Sequence, residues 1–258
     1  MNDPGSEAPP PPPPPDLAPP PSYTAYQAGR ESAAPLRRVG GLCRAIVVLL
    51  GVFAVGTLIQ LIATPGLVRS AQDRVAGEIS NDQFMEDFNR FNVLGFLAVV
   101  SQLALVVLTI MWLFRLAKNH VALGRRLTWV PGWAIGGWFL PPIVYVIPTL
   151  MLRESWKAAD PDVPPGDERW KSSPDSPLLW AWVALYVVAP VVFLLVGLRQ
   201  QFDMMSREAV DIADAYDDRL GLRLAQGVVV LAAAAVWALF VRALTARHTT
   251  LTGEVPTR

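Results

Sequence analysis

Four stretches of this chain run 18 to 22 residues without a single charged side chain, and that clumping constrains the fold more than any other feature. They cover Ala45–Ala63, Val93–Phe114, Leu178–Leu198 and Leu224–Val241. At 1.5 Å rise per residue, about 20 residues cover the hydrocarbon of a bilayer, so each passes the length test for a membrane-spanning helix. In the first stretch, 12 of 19 residues are Ile, Leu, Val or Phe. Near the bilayer centre those side chains contribute roughly −4 to −7 kcal/mol, which Gln60 and the glycines offset only in part. Over the whole chain of 258 residues the hydrophobic share is 52% and the charged share 17%, against about 25% charged in typical soluble domains. The expected fold is therefore an all-α integral membrane domain with four spans arranged as two hairpins.

A fifth apolar stretch, Leu127–Leu152, is uncharged and long enough to cross, but it holds Pro131, Pro141, Pro142 and Pro148 with Gly132, Gly136 and Gly137. Proline inside a helix removes a hydrogen bond and clashes with the preceding turn, which membrane helices tolerate only where neighbours re-satisfy the freed carbonyls. From Pro148 onward, Leu152, Trp156 and Ala159 mark one face of a short amphipathic helix, with Arg153, Glu154 and Lys157 between them. Asp160-Pro161 should end it. The whole insert, residues 127–160, reads as interfacial or re-entrant. Charge supports this. With a cytosolic N-terminus, four spans place 15 of the 22 basic residues inside and 7 outside, whereas five spans divide them 12 to 10. The positive-inside bias favours four.

The loops Thr64–Asn92 and Arg199–Gly221 read as acidic amphipathic helices. Phe84, Phe88 and Phe91 recur at helical spacing in the first, where Ser80 and Gln83 match a capping box. Met205, Ala209, Ile212, Tyr216 and Leu220 form a stripe in the second. Residues 1–36 show no apolar run, hence no signal-peptide pattern. Their Pro9–Pro15 tract favours solvated polyproline II in a disordered cytosolic tail. The sharper alternative is a WW-type ligand at Pro20-Pro21-Ser22-Tyr23. Residues 42–245 make the membrane domain and 246–258 a short C-terminal tail. Only Lys118, Lys157 and Lys171 among the basic residues are lysine; with abundant Ala, Pro and Gly, that bias fits a GC-rich bacterial genome and a bacterial plasma membrane.

Between the hairpins lies a dense pattern: W-x-x-R-x-x-x-N on Trp112, Arg115 and Asn119; P-G-W-A on Pro131, Gly132, Trp133 and Ala134; G-W-F-x-P on Gly137, Trp138, Phe139 and Pro141; then Pro148 and Trp156. This pattern resembles the signature of the domain-of-unknown-function 4328 (DUF4328) family, polytopic membrane proteins common in actinobacteria. The resemblance covers roughly residues 42–245. It implies no activity. One departure is visible: members often carry an Asn a few residues after the G-W-F-x-P proline, where this chain reads Ile143, Val144, Tyr145 and Val146.

Arg115 and Asn119, at i and i+4, share a helix face emerging from the second span. With Lys118, Arg125 and Arg126 they form a basic cluster flanked by Trp112, Trp129, Trp133 and Trp138. Snorkelling arginines and an interfacial tryptophan belt are one reading. Recognition of anionic lipid headgroups or another membrane protein is the other. Zero net charge gives no field for nucleic acid. Cys43 is the sole cysteine, and His120 and His248 lie far apart without ligand-spaced partners, so no metal or cofactor is expected. No G-x-S-x-G elbow, Walker loop or H-E-x-x-H motif is present. The expected role is a non-enzymatic membrane scaffold or lipid/partner-interaction protein. The alternative is a small transporter or channel between the hairpins. The four spans hold no ionisable side chain of the kind that marks ion pathways; Gln60, Ser101 and Gln102 read as interhelical glue.

Overall fold

A computed structural model describes residues 35–139, 145–189 and 220–254. Among them the protein is all-helical, without strands. Helix α1 (Gly40–Val75) and helix α2 (Asn81–Ala122) form an antiparallel hairpin. The one-turn helix α3 (Trp133–Gly136), helix α4 (Val146–Ala158) and a 3-10 turn (Glu168–Ser172) build the insert. Helix α5 (Pro177–Val183) continues into a π-turn (Ala184–Val188), and helix α6 (Leu220–Thr252) closes the chain.

Three helices, α1, α2 and α6, are long and apolar enough to cross a membrane. Each contains one of the expected spans. The expected span Leu178–Leu198 begins as the apolar helix Pro177–Val188, and its remainder lies outside the described residues. So do most of the stripe from Met205 to Tyr216, the proline-rich tail, and Pro141. Val93, Phe96, Leu103 and Val107 are exposed along one face of α2. A solvent-facing apolar strip of that kind is a liability in water and ordinary in lipid.

The helices overrun the hydrocarbon. At 1.5 Å per residue, α1, α2 and α6 are roughly 54, 63 and 50 Å long, against about 30 Å of bilayer core. The end bearing Gly40, Ala122 and Thr252 is called proximal below, and the end bearing Val75, Asn81 and Leu220 distal. Distally, the loop expected over Thr64–Asn92 is mostly an extension of the two helices. α1 runs through Pro65, with the Thr64 hydroxyl bonded to the Gln60 carbonyl at 2.8 Å. Leu67, Val68, Ala71 and Phe84 make a satellite core there, supported by Phe88 and Phe91. The capping box is formed: Gln83 N–H donates to Ser80 Oγ (3.2 Å) and Ser80 N–H to Gln83 Oε1 (2.9 Å). Proximally, α6 continues to Thr252, so residues 246–252 are its last turns rather than a tail.

α1 packs along both α2 and α6. α2 and α6 share far less backbone proximity and meet mainly through side chains at the proximal end. Where α1 meets α2, Gly56 lets the backbones approach: a Cβ there would sit 3.0 Å from the Ala98 nitrogen. The Gln60 side chain lies over Gly95 in the same crossing. Small residues at such crossings are how membrane helices gain contact without a hydrophobic driving force.

Candidate functional site

The last turns of α2 and α6 carry a buried polar network. Trp112 is fully buried and its indole N–H donates to Thr245 Oγ1 at 3.0 Å. One turn before the end of α2, Asn119 is buried as well. Its Oδ1 accepts the Arg37 N–H (2.8 Å) and its Nδ2 donates to the Arg37 carbonyl (2.7 Å). The side-chain amide thus stands in for a neighbouring strand and clasps the extended segment that leads into α1. Nδ2 also lies 2.9 Å from His248 Nε2. Arg115, on the same helix face, donates to the Arg38 carbonyl at 3.0 Å.

α1 starts at Val39 without a side-chain cap of its own. Glu254 supplies one from the far end of the chain, accepting the N–H groups of Val39 (3.2 Å) and Gly40 (3.1 Å). A carboxylate is favoured at this position because the first N–H groups of a helix lack partners and carry its positive pole. Beside this clasp, His120 and His248 are fully buried and meet edge to face, ring centroids 5.0 Å apart. Neither nitrogen of His120 has a hydrogen-bond partner, nor has Nδ1 of His248.

The turn after α2 sends the next residue inward. Arg125 N–H bonds the His120 carbonyl and Gly124 N–H the Val121 carbonyl, each at 2.9 Å, with Gly124 at φ 73°. This is a Schellman ending, which needs a left-handed residue and finds it in glycine. Arg125 is buried in consequence, and its guanidinium donates to the carbonyls of Val163, Pro164 (3.1 Å) and Asp167 (2.8 Å). It organises the 160–167 loop from within.

The insert is folded against the bundle. Its amphipathic helix is α4, with Ile147, Pro148, Met151, Leu152, Ser155 and Ala158 buried and Ala159 as C-cap. Pro148 sits in the first turn, where the missing N–H would have had no partner. Trp156 stacks on Phe240 (centroids 6.0 Å) and carries Arg247 over its ring at 4.5 Å. Glu154 accepts the N–H groups of Thr128 (2.6 Å) and Trp129 (3.3 Å), pinning the chain ahead of Pro131. Gly137 is required by space, since a Cβ there would sit 2.8 Å from Ile147 Cγ2. Arg153 Nε holds Asp175 with both carboxylate oxygens at 2.9 and 3.0 Å, and Lys157 reaches the same carboxylate at 3.3 Å. These bonds, the Arg153 one first, keep the Asp175 carboxyl below its usual range.

The basic and aromatic cluster read from the sequence is thereby divided. Trp112, Asn119 and Arg125 point inward and spend their polar atoms within the fold. Arg115 holds the Arg38 backbone, and Trp138 has a buried indole nitrogen. Arg126 points out with its side chain 88% exposed, near Glu168 at 3.8 Å. Lys118 is half-exposed; Trp129 and Trp133 are half-buried and pack edge to face at 6.1 Å. Residues 81–246 match the family described as Domain of unknown function (DUF4328). The chain belongs to that family. The DUF4328 match runs from the start of α2 to within α6 and so covers the motif and the insert, while α1, His248 and Glu254 fall outside it. Comparison with curated proteins and with solved structures yields no match.

Sequence reasoning did not bring His120 to His248, nor Glu254 to the start of α1. One signal was available. His120 lies six residues past the end of its apolar stretch at Phe114 and His248 seven past Val241, so two continuous parallel helices place them at one height. Among the described residues, no group of three or more His, Cys, Asp or Glu is placed to hold a metal.

Proposed function

We propose that this DUF4328 protein is a four-span membrane protein of two helix hairpins that acts as a non-enzymatic scaffold, engaging lipid headgroups or a partner through the outer rim of its insert. The observation that carries the reading is the exposure of Val130 (63%) and Phe139 (69%) beside the Trp129–Trp133 pair and the outward Arg126. Apolar tips, amphipathic rings and an outward cation, loosely paired with Glu168, in one short segment match what a membrane interface selects. The excess of basic residues on the same side supports a cytosolic placement of this rim, facing the anionic leaflet.

The test uses the full chain in vesicles of phosphatidylcholine with or without phosphatidylglycerol, followed by mild extraction and lipid analysis. Phosphatidylglycerol should be enriched around the protein, and Arg126→Glu with Lys118→Glu should reduce that enrichment roughly fivefold per charge at about 1 kcal/mol each. Equal enrichment in the variant sinks the headgroup reading. The transporter alternative draws on the spacing of α2 from α6 and requires solute flux that depends on Gln60, Ser101 or Gln102. Of these, Ser101 bonds the Leu97 carbonyl of its own helix at 2.7 Å.

A further inference from the structure

At mid-helix, α2 and α6 face each other across two adjoining cavities rather than closing together. The one nearer the proximal end, about 370 Å³, is walled by Leu105, Trp182 and Trp237, with Trp138 among its lining. The one nearer the distal end, about 350 Å³, carries Thr57, Gln60, Thr64 and Gln226. Phe53, Gln102 and Val230 line both, which makes them halves of one recess.

Helical spacing builds this recess. Phe53, Thr57, Gln60 and Thr64 fall at i, i+4, i+7 and i+11 on α1. Ala98, Gln102, Leu105 and Thr109 repeat that spacing on α2, and Gln226, Val230, Ala233 and Trp237 repeat it on α6. Three stripes of one period therefore face a common axis. Polar members cluster distally and aromatic ones proximally. All lie within or beside the apolar stretches, so the recess sits at bilayer depth. Its mouth is lateral: Val106, Tyr145 and Tyr186 line the aromatic half and are also exposed on the outer surface, Tyr145 at 50%.

Two physical demands meet there. Amides and hydroxyls at bilayer depth need hydrogen-bond partners, because lipid tails offer none. An aromatic cavity of this size left empty forfeits the dispersion contacts of its walls. A hydrocarbon alone answers only the second demand, and water only the first. We propose that the recess binds one single-chain amphiphile drawn from the surrounding bilayer, with its polar head among Thr57, Gln60 and Gln226 and its acyl chain against Trp182 and Trp237. Gln102, which lines both halves, stands at the junction of head and tail. The site is separate from the insert rim and holds whether or not that rim meets headgroups.

The probe is a lysophosphatidylcholine brominated on its acyl chain, added to the full chain in detergent. Bromine quenches the cavity tryptophans, and native mass spectrometry counts retained probe. One retained molecule and saturable quenching are expected. Ala234→Phe, which fills the aromatic half, should weaken retention by roughly tenfold or more, a loss of about one CH₂-rich segment of tail contact. Gln102→Leu, close in shape, should weaken it roughly fivefold through the lost hydrogen bond. Leu239→Phe, on the exposed face of α6, should leave it unchanged. Non-saturable quenching, or Ala234→Phe equal to the unmodified chain, overturns the proposal. Should Ala234→Phe fail to fold, unchanged retention in Gln102→Leu overturns it by itself.

Discussion

At the proximal end α2 and α6 are tied by Trp112–Thr245, by Asn119 against His248, and by the paired imidazoles, while Asn119 and Glu254 fasten the start of α1. Three turns farther along, the same two helices stand apart across an aromatic and amide-lined recess. Both regions hold polar side chains inside a largely apolar bundle, and they satisfy them differently. Apart from both His120 nitrogens and Nδ1 of His248, the proximal groups find partners within the chain, mostly backbone carbonyls and N–H groups at fixed distance. The recess leaves space where an outside molecule can supply contacts. The difference teaches where this fold is built to be rigid and where it is built to receive something, since the backbone clasps made by Asn119 and Glu254 fix one end while the recess is left open.

The largest expected effect comes from breaking the rigid end. Asn119→Leu removes both bonds to the Arg37 backbone and the contact with His248, and should destabilise the protein by about 3 kcal/mol. Thermal unfolding in detergent reads the loss, and protease cleavage near residues 35–39 should rise with it. Retained stability would mean that the clasp does not close this end, and the contrast between the two regions would fall. A smaller effect is expected at the α1–α2 crossing. Gly56→Leu must push against Ala98, at a cost of about 1–3 kcal/mol. Gly56 lines neither cavity, so amphiphile retention by the surviving folded fraction should stay unchanged. Retention lost with Gly56→Leu would show that the recess depends on the crossing.

The smallest effect is a pH response confined to the insert. Arg153 and then Lys157 lower the Asp175 carboxyl, so their contribution is complete above the ordinary carboxylate value near pH 4. It is lost as pH falls further, through the lowered value in the folded protein. Hydrogen exchange across residues 160–175 should therefore accelerate only in acid, and Asp175→Asn should remove that acid limb. The described residues that line the recess include no carboxylate, so probe retention should not follow the same curve. A shared pH profile would join two regions that the geometry keeps separate.

Much of the fold was legible because it is local. An apolar run reports its own preference for lipid, residue by residue, and α1, α2 and α6 contain the expected stretches. The Ser80–Gln83 box and the span of α4 before Asp160-Pro161 are likewise short-range facts. The lengths of α1 and α2 were not legible, since turns beyond the bilayer lose the apolar signal and Pro65 looks like a stop. It is not one here, because helix packing holds the turn on both sides. The candidate site was legible in composition and not in direction. Arg125 and Arg126 are neighbours in sequence, and only the Schellman turn at Gly124 sends one inward and the other out.

By itself, then, the amino-acid order determined that this is a helical chain of the DUF4328 family with stretches long and apolar enough to cross a membrane and a proline- and tryptophan-rich insert, because apolar runs, capping and motif spacing depend on residues near one another. Tertiary structure alone decided that Asn119 clasps Arg37 across 82 positions, that Glu254 caps a helix beginning 214 positions earlier, that His120 faces His248, and that three stripes enclose a recess. Those are pair properties of distant segments. Their energies exist only once helix packing has set the distances, and no single stretch of sequence carries them.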